Sequence, residues 1–68
     1  MKIFAERLKE LRTENGLSQS ELAKETGLNQ STITRWEADD RDPNLPSLII
    51  IAKYFGCSID FLAGLEEY

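Results

Sequence analysis

Four polar side chains that can form hydrogen bonds fall on one predicted helix: Gln30, Ser31, Thr34 and Arg35. Their spacing puts them on a common face, because residues three or four apart are neighbours on a helix. Glutamine can bond N6 and N7 of adenine, arginine can bond O6 and N7 of guanine, and serine or threonine can bond a base edge or touch the thymine methyl. This face therefore carries the chemistry needed to contact base edges in the major groove of DNA.

Each of these side chains also has a plainer interpretation as ordinary solvated helix surface. Gln30 lies in the first helical turn, which is the end of such a helix that points into the groove. Arg35 can instead bind a phosphate or pair with a nearby acid on the protein. Ser31 and Thr34 do not by themselves distinguish base contact from solvent exposure.

The helix before this face has a clear predicted beginning and end. The segment Ser18–Glu21, Ser-Gln-Ser-Glu, fits the capping box, in which the serine bonds the amide three residues on and the glutamate reaches back. We expect helix 2 to begin at this segment and to end at about Thr26. Gly27 then makes the turn, since glycine adopts a left-handed conformation without strain.

Helix 3 carries the polar face and is predicted to begin after Asn29, a favourable N-cap residue, and to end near Ala38. Ile33 and Trp36 are three residues apart and are expected to face the core. Asn29 is interpreted as a structural cap that, beside the groove, can also contact a DNA phosphate. Two capped helices joined by a glycine turn make a helix-turn-helix, whose second helix is shaped for the major groove.

Three further helices are predicted as the scaffold. Helix 1 is expected over about residues 2–14, helix 4 from near residue 44 to the turn at residue 56, and helix 5 over residues 59–63. With short connections and no strand pattern, the fold class is all-α, a compact five-helix bundle. The core stripe of helix 4 is predicted to comprise Leu48, Ile51, Ala52 and Phe55, with Leu45 joining them.

Length and hydropathy limit the classes of function. With 68 residues the chain is predicted to form one domain over residues 1–68, too small to build a deep substrate cleft as well as a core. No apolar run approaches the roughly 20 residues of a membrane span. The charged start, with Glu6 and Arg7, is unlike a signal peptide. We therefore expect a cytoplasmic protein that has no membrane partner.

Metal, cofactor and enzyme chemistry are disfavoured by the residue types. The sequence has no histidine and one cysteine, Cys57, so neither an internal disulfide nor a structural zinc site is expected. Cys57 lies in an apolar neighbourhood and is interpreted as a small buried hydrophobe. There is no glycine-rich phosphate loop, and the adjacent Asp39 and Asp40 suit a solvated turn better than general acid–base catalysis. We expect no catalytic residue, metal or cofactor, and no small-molecule effector site is evident.

The net charge of −4 opposes DNA binding, since most nucleic-acid-binding domains are basic. The loop after helix 3, residues 38–42, contains three acids against one arginine and would repel phosphate. Arg35 and Arg41, with Lys24 at longer range, are the positive charges predicted near the groove. Arg41 is accordingly placed with the phosphate-contacting residues.

Three spaced motifs occur in the same order as in a known family. They are Leu-Arg-Thr-Glu-Asn-Gly-Leu-Ser-Gln-Ser-Glu-Leu-Ala (11–23), Ser-Thr-Ile-Thr-Arg-Trp-Glu (31–37) and Phe-Gly-Cys-Ser-Ile-Asp-Phe-Leu (55–62). Over about Phe4 to Gly64 the chain resembles the Cro and phage-repressor helix-turn-helix family, also called XRE-like repressors. The resemblance implies the phage-repressor type of DNA-binding fold, with the helix-turn-helix at helices 2 and 3.

The resemblance also implies roles for individual residues. The four polar residues of helix 3 match the family's base-facing positions, and Thr32 matches a position that tends to touch the DNA backbone. Gln19 matches a glutamine that bonds a DNA phosphate and steadies the recognition helix. Arg12 and Glu37 match a partly buried ion pair between helix 1 and the end of helix 3. The loop at residues 38–42 departs from the family, which commonly places glycine and lysine there.

A single helix-turn-helix contacts only a few base pairs, and members of the family that this chain resembles bind palindromic half-sites as dimers. The sequence contains no separate oligomerisation segment, so the dimer contact is expected on helix 4 or at the C-terminus. Apolar residues outside the core stripe can mark such an interface. The candidates are Ile50, Phe61, Leu65 and Tyr68, although Phe61 can instead close the bottom of the core.

Two functions from different classes remain open. The first is a sequence-specific transcription regulator that binds a double-stranded DNA operator as a homodimer, with repression following from occupancy and activation through an acidic surface still possible. The second is an antitoxin-like or accessory protein-interaction module on the same fold, with weak DNA binding and a protein partner. The acidic loop favours the second function, and the set of Gln19, Gln30 and Arg35 favours the first.

Overall fold

The computed structural model describes residues 1–67 and contains five α-helices within that range. They are α1 (Lys2–Glu14), α2 (Gln19–Thr26), α3 (Gln30–Glu37), α4 (Leu45–Phe55) and α5 (Ile59–Ala63). No strand occurs among these residues, so the predicted all-α fold of five helices is confirmed. The observed bounds agree with the predicted bounds because the caps and the apolar spacing mark the same ends.

Side-chain caps begin three of the helices. Ser18, Asn44 and Ser58 each accept a hydrogen bond from the backbone amide three residues on, which satisfies one of the otherwise unpaired amides of the first turn. α3 begins after Asn29, as predicted, but without a side-chain cap. Asn29 occupies the N-cap position, and its carbonyl oxygen accepts from the Ile33 amide at 3.2 Å, but its exposed side chain makes no cap hydrogen bond.

The core lies where the five helices converge. α1 packs against α3 and α5, and α2 packs against α3 and α4. The edge of one ring meets the face of the other between Phe4 and Trp36, with centroids 5.6 Å apart, and this contact fixes α3 against α1. The large side chains that are fully buried come from all five helices: Phe4, Leu8, Leu22, Ile33, Ile51 and Leu62.

Helix α4 buries a narrower stripe than the sequence suggests. Leu48, Ile51 and Ala52 are buried and Phe55 packs against them, but Leu45 is 60% exposed. The prediction that Leu45 joins the core was therefore wrong. Leu45 shares its helix face with residue 49, four positions on, and that face points away from the core.

The capping box of α2 generates a prediction about pH. The Glu21 amide donates to Ser18 Oγ at 3.0 Å, and the Ser18 amide donates to Glu21 Oε1 at 2.8 Å. The hydrogen bond from the Ser18 amide, and after it the interaction with the Ser18 hydroxyl, hold the pKa of the Glu21 carboxyl below its ordinary value of 4.5. A lowered folded-state pKa contributes stability that is present above the unfolded pKa and is lost as pH falls through the folded pKa.

We expect the free energy of unfolding to fall as the pH is lowered from 6 to below 4, and the variant Glu21→Gln to show a smaller fall. Urea unfolding at several pH values measures this dependence directly. The control is Glu14→Gln, which removes an exposed glutamate outside the cap. Identical pH dependence in the two variants would contradict the prediction.

Candidate nucleic-acid interface

A three-residue turn sets the position of α3 relative to α2. Gly27 ends α2 with a left-handed backbone (φ +76°), which a side chain would strain, and its amide donates to the Ala23 carbonyl at 2.9 Å. Leu28 then packs against the core and α3 begins at residue 30. α3 buries Ile33 and leaves its opposite face in solvent. The turn therefore presents one whole face of α3 to the outside.

The predicted base-facing residues all lie on that exposed face. Within the described residues, the side chains of Gln30, Ser31 and Arg35 form no hydrogen bond or ion pair, and the ion pairs that occur involve other groups. Pairing with a nearby acid therefore does not occupy Arg35. The structure brings these side chains together as unused hydrogen-bonding groups, which suits contact with an external partner.

The fourth residue of the face, Thr34, is held by a neighbouring helix. Its Oγ1 donates to Gln19 Oε1 at 2.6 Å and also lies 3.0 Å from the Gln30 carbonyl oxygen. A hydroxyl has one hydrogen, so Thr34 donates within the protein and retains a lone pair and a methyl group for an outside contact. No sequence signal indicates the contact with Gln19, because the two residues lie 15 positions apart and on different helices.

A network of hydrogen bonds fixes Gln19 in turn. Gln19 Nε2 donates to Glu37 Oε1 at 3.1 Å, and the same carboxylate receives Arg12 Nε at 2.7 Å on Oε2 and Arg12 Nη2 at 2.8 Å on Oε1. Arg12 Nη1 donates to the Leu17 carbonyl at 2.8 Å. The Glu37 and Arg12 side chains are 5% and 12% exposed. The network joins Arg12 on α1, Gln19 on α2 and Glu37 on α3.

This network leaves Gln19 one donor for an outside group. An amide nitrogen carries two hydrogens, and only one is directed to Glu37. Gln19 is the first residue of α2, where unpaired backbone amides favour a nearby anion. The two-point hydrogen bonding of Glu37 also raises the pKa of Arg12, which keeps the cation charged in this sheltered place.

The other predicted phosphate-contacting residues line a shallow depression of about 450 Å³ between the α2–α3 turn and the loop before α4. Asn29, Thr32 and Arg41 share this depression with Asp42. Thr32 is half-buried, whereas Asn29 and Arg41 are exposed. All three were predicted from the sequence to contact phosphate, and in the structure all three line this depression.

The acidic loop has a partner that the sequence analysis did not consider. The Met1 amino group lies 3.1 Å from Asp39 Oδ1 and also contacts the Asp42 carboxylate. Hydrogen bonds to Asp42 and then Asp39 raise the pKa of this amino group. Asp39 has φ +57°, a left-handed conformation that aspartate tolerates better than most residues.

Other kinds of site are not indicated in the part of the chain that the structure describes. No helix there is long and apolar enough to cross a membrane. No group of three or more metal-binding side chains comes together in residues 1–67. Cys57 is half-buried, and desolvation raises the pKa of its thiol, which lowers its reactivity.

The helix-turn-helix geometry agrees with a match to a family model. The model described as helix-turn-helix covers residues 8–62, which include α2, α3 and their turn. The chain belongs to this XRE-type helix-turn-helix family. Membership accounts for the order of the motifs along the sequence and for the five-helix arrangement.

Curated members of the helix-turn-helix family align with most of this chain. The chain is 39% identical to the HTH-type transcriptional activator BcrR of Enterococcus faecalis over 94% of its own length and 31% of that protein. It is 32% identical to the HTH-type transcriptional regulator ImmR of Bacillus subtilis over 94% of its own length and 50% of that protein. It is 30% identical to the cryptic phage CTXphi transcriptional repressor RstR of Vibrio cholerae over 96% of its own length and 59% of that protein. The chain thus spans between 31% and 59% of the length of these relatives.

The Arg12–Glu37 pair generates a prediction about stability. Removing one member of a buried pair leaves the other charge without compensation, which typically costs roughly 3–5 kcal/mol. We expect Glu37→Ala to lower the melting temperature by more than about 10 °C, given that 1 kcal/mol shifts it by about 4–8 °C in a domain of this size.

The control is Glu6→Ala, because Glu6 is exposed and forms no ion pair within the described residues. Thermal unfolding followed by circular dichroism compares the two variants. Equal melting temperatures for Glu37→Ala and Glu6→Ala would refute the structural role of the pair.

Proposed function

We propose that this chain is a DNA-binding transcription regulator that inserts α3 into the major groove of a double-stranded operator. The observation that carries the proposal is the exposed face of α3, where the side chains of Gln30, Ser31 and Arg35 form no hydrogen bond or ion pair within residues 1–67. Unused glutamine and arginine side chains on the solvent-facing side of a helix are the groups that recognise adenine and guanine edges. The rigid attachment of α3 to α1 and α2 supports the same function, because base recognition requires a fixed orientation.

The relatives support regulation of transcription and leave its direction to be tested. Their names include an activator and a repressor. We infer that this chain represses, because occupancy of an operator that overlaps a promoter excludes polymerase without any further machinery. Operator DNA lies in the cytoplasm of bacteria, so the proposal places the chain there.

The chain carries a net charge of −4, which limits its general attraction to DNA phosphates. The residues that we assign to phosphate contact are mostly neutral, namely Gln19, Asn29 and Thr32, with Arg41 as the charged member. Few counterions would be released, so binding to random DNA is expected to be weak. Specific binding would depend instead on hydrogen bonds from side chains that are already oriented.

The proposed regulator binds a palindrome as a dimer, and the outer face of α4 supports this. Ile49, Ile50 and Tyr54 on that face are each 37–38% exposed, and Lys53 is the charged residue of the helix. Two copies can therefore meet along the apolar side chains of α4, with Glu25 of α2 beside Tyr54, whose hydroxyl donates to the Glu25 carboxylate at 3.4 Å.

The four predicted dimer residues fall in different environments. Ile50 is exposed on α4 and Leu65 is 78% exposed after α5. Phe61 packs against the core, which favours its alternative role of closing the bundle. Tyr68 lies outside the described residues.

Ile50→Ser is expected to raise the dimer dissociation constant at least about tenfold, which corresponds to about 1.4 kcal/mol. The matched control is Ile3→Ser, since Ile3 is 44% exposed on α1. Sedimentation equilibrium with and without operator DNA compares the two variants. A wild-type chain that stays monomeric on its operator would disprove the dimer.

The assignment of base contacts predicts the outcome of a selection from random DNA at low salt. The wild-type chain should enrich a palindrome, and Gln30→Ala and Arg35→Ala should each relax the preference at particular positions, because a bidentate contact discriminates by about 1–3 kcal/mol. The control Lys24→Ala should weaken binding to all sequences alike, since it removes only a distant positive charge.

Selection without enrichment would overturn the proposed function. It would favour the second candidate, an antitoxin-like or accessory module that binds another protein, for which the acidic loop is the specific observation. Purification of the tagged chain from its host would then identify that partner.

A further inference from the structure

A groove of about 680 Å³ lies on the molecule apart from the face of α3. α1 forms one wall, and α5, the α4–α5 turn and the segment after α5 form the other. No residue of α2 or α3 lines it. Its apolar lining includes Leu11, Phe55, Cys57 and Phe61, all of which are half-buried and pack against the core. The groove therefore offers an apolar floor that is open to solvent.

The rim of this groove is acidic. Three of the glutamates recur every four residues along α1, and two follow α5: Glu6, Glu10, Glu14, Glu66 and Glu67. Arg7 is the cation among the lining residues, and it is held against the wall. Its Nη1 donates to the carbonyl oxygens of Phe61 and Glu66, the latter at 2.7 Å, and its guanidinium lies 4.3 Å from the Phe61 ring centre.

The three acids of α1 follow one another along one side of the helix, although Lys2, Arg7 and Lys9 lie three or four positions from Glu6 or Glu10. Like charges four residues apart on a helix repel each other. Within the described residues, Glu6, Glu10 and Glu14 form no ion pair that would offset this repulsion. They lie close enough together for their fields to add at physiological ionic strength, where screening acts over about 8 Å. A cation placed above the groove would relieve the repulsion.

We propose that this groove binds a basic segment of another protein, in which lysines or arginines flank two or three apolar side chains. The apolar side chains would cover Leu11 and Phe55 on the floor, and the cations would meet the glutamates of the rim. This charge complementarity defines the occupant. A second copy of the chain is a poor match, because it brings a net charge of −4 toward five glutamates.

Occupation of the groove is compatible with use of the α3 face. The groove and the face share no residue. Nucleic acid does not suit the groove, since the rim would repel phosphate. The inference does not depend on the proposed DNA binding, and the two can fail separately.

The first experiment measures binding of a fluorescent 12-residue peptide of alternating Lys-Lys and Leu-Leu pairs to the full chain by anisotropy. We expect saturable binding that Glu10→Gln/Glu14→Gln weakens at least about fivefold, since each exposed charge pair contributes up to about 1 kcal/mol. The matched control is Glu25→Gln/Asp40→Asn, which changes the net charge equally with exposed acids outside the groove. It should weaken binding less than twofold.

Two further ligands test the contribution of the apolar floor, and amide chemical shifts test where the peptide binds. A peptide with serine in place of leucine, and spermine, should both bind at least about tenfold more weakly than the first peptide. Amide chemical shifts should move at Gly56, Cys57 and Phe61 on addition of the first peptide and stay fixed across α3. Lack of saturable binding, equal weakening by the two double variants, equal binding of the serine peptide, or shifts confined to α3 would each overturn the proposal.

Discussion

The ion pair between Arg12 and Glu37 is the interaction on which the arrangement of the helices depends. It joins the last turn of α1 to the last residue of α3 with two hydrogen bonds of 2.7 and 2.8 Å. Taking two charges out of water offsets much of their attraction, so the pair adds less to net stability than its geometry suggests. Its main effect is to select one orientation of α3, because any other orientation would leave a sheltered charge without a partner.

The same carboxylate extends this constraint to the protein surface. Glu37 accepts from Gln19, and Gln19 accepts from Thr34, so a pair near the core determines how an exposed hydroxyl is held. The Phe4–Trp36 contact fixes α3 against α1 by packing, and the network fixes it by hydrogen bonds. Base recognition by a short helix needs both, because a small rotation of the helix would redirect every side chain on its face.

Local signals in the sequence were enough to predict the elements of this fold. Capping residues such as Ser18 and the regular spacing of apolar residues predicted five helices with the observed bounds. Whether an apolar residue at the end of a helix is buried was harder to predict. Leu45 shows why, because residues near it in the sequence are apolar, but its exposure depends on where the other helices lie. Asn29 likewise has the right type and position for a cap, and its side chain is not used as one.

The candidate site was predicted as a set of residues but not as a network. The type and spacing of Gln30 and Arg35 place them on one face without knowledge of any tertiary contact. The link from Gln19 to Thr34 depends on how two helices cross, which the sequence does not state. The net charge of −4 does not describe every surface alike, because five glutamates lie along the groove beside α1, whereas the exposed face of α3 carries Arg35 and neutral side chains.

The hydrogen bond between Thr34 and Gln19 has a consequence for how this scaffold diverges. Replacing Thr34 by a residue without a hydroxyl removes the hydrogen bond that Gln19 Oε1 accepts, and Gln19 is the same side chain that donates to Glu37. Changes at positions 34 and 19 are therefore energetically non-additive, as expected for residues that share a network. A mutagenesis library that varies α3 alone would therefore sample position 34 only against the existing Gln19 amide, whereas paired changes at positions 19 and 34 would reach arrangements that neither single change allows.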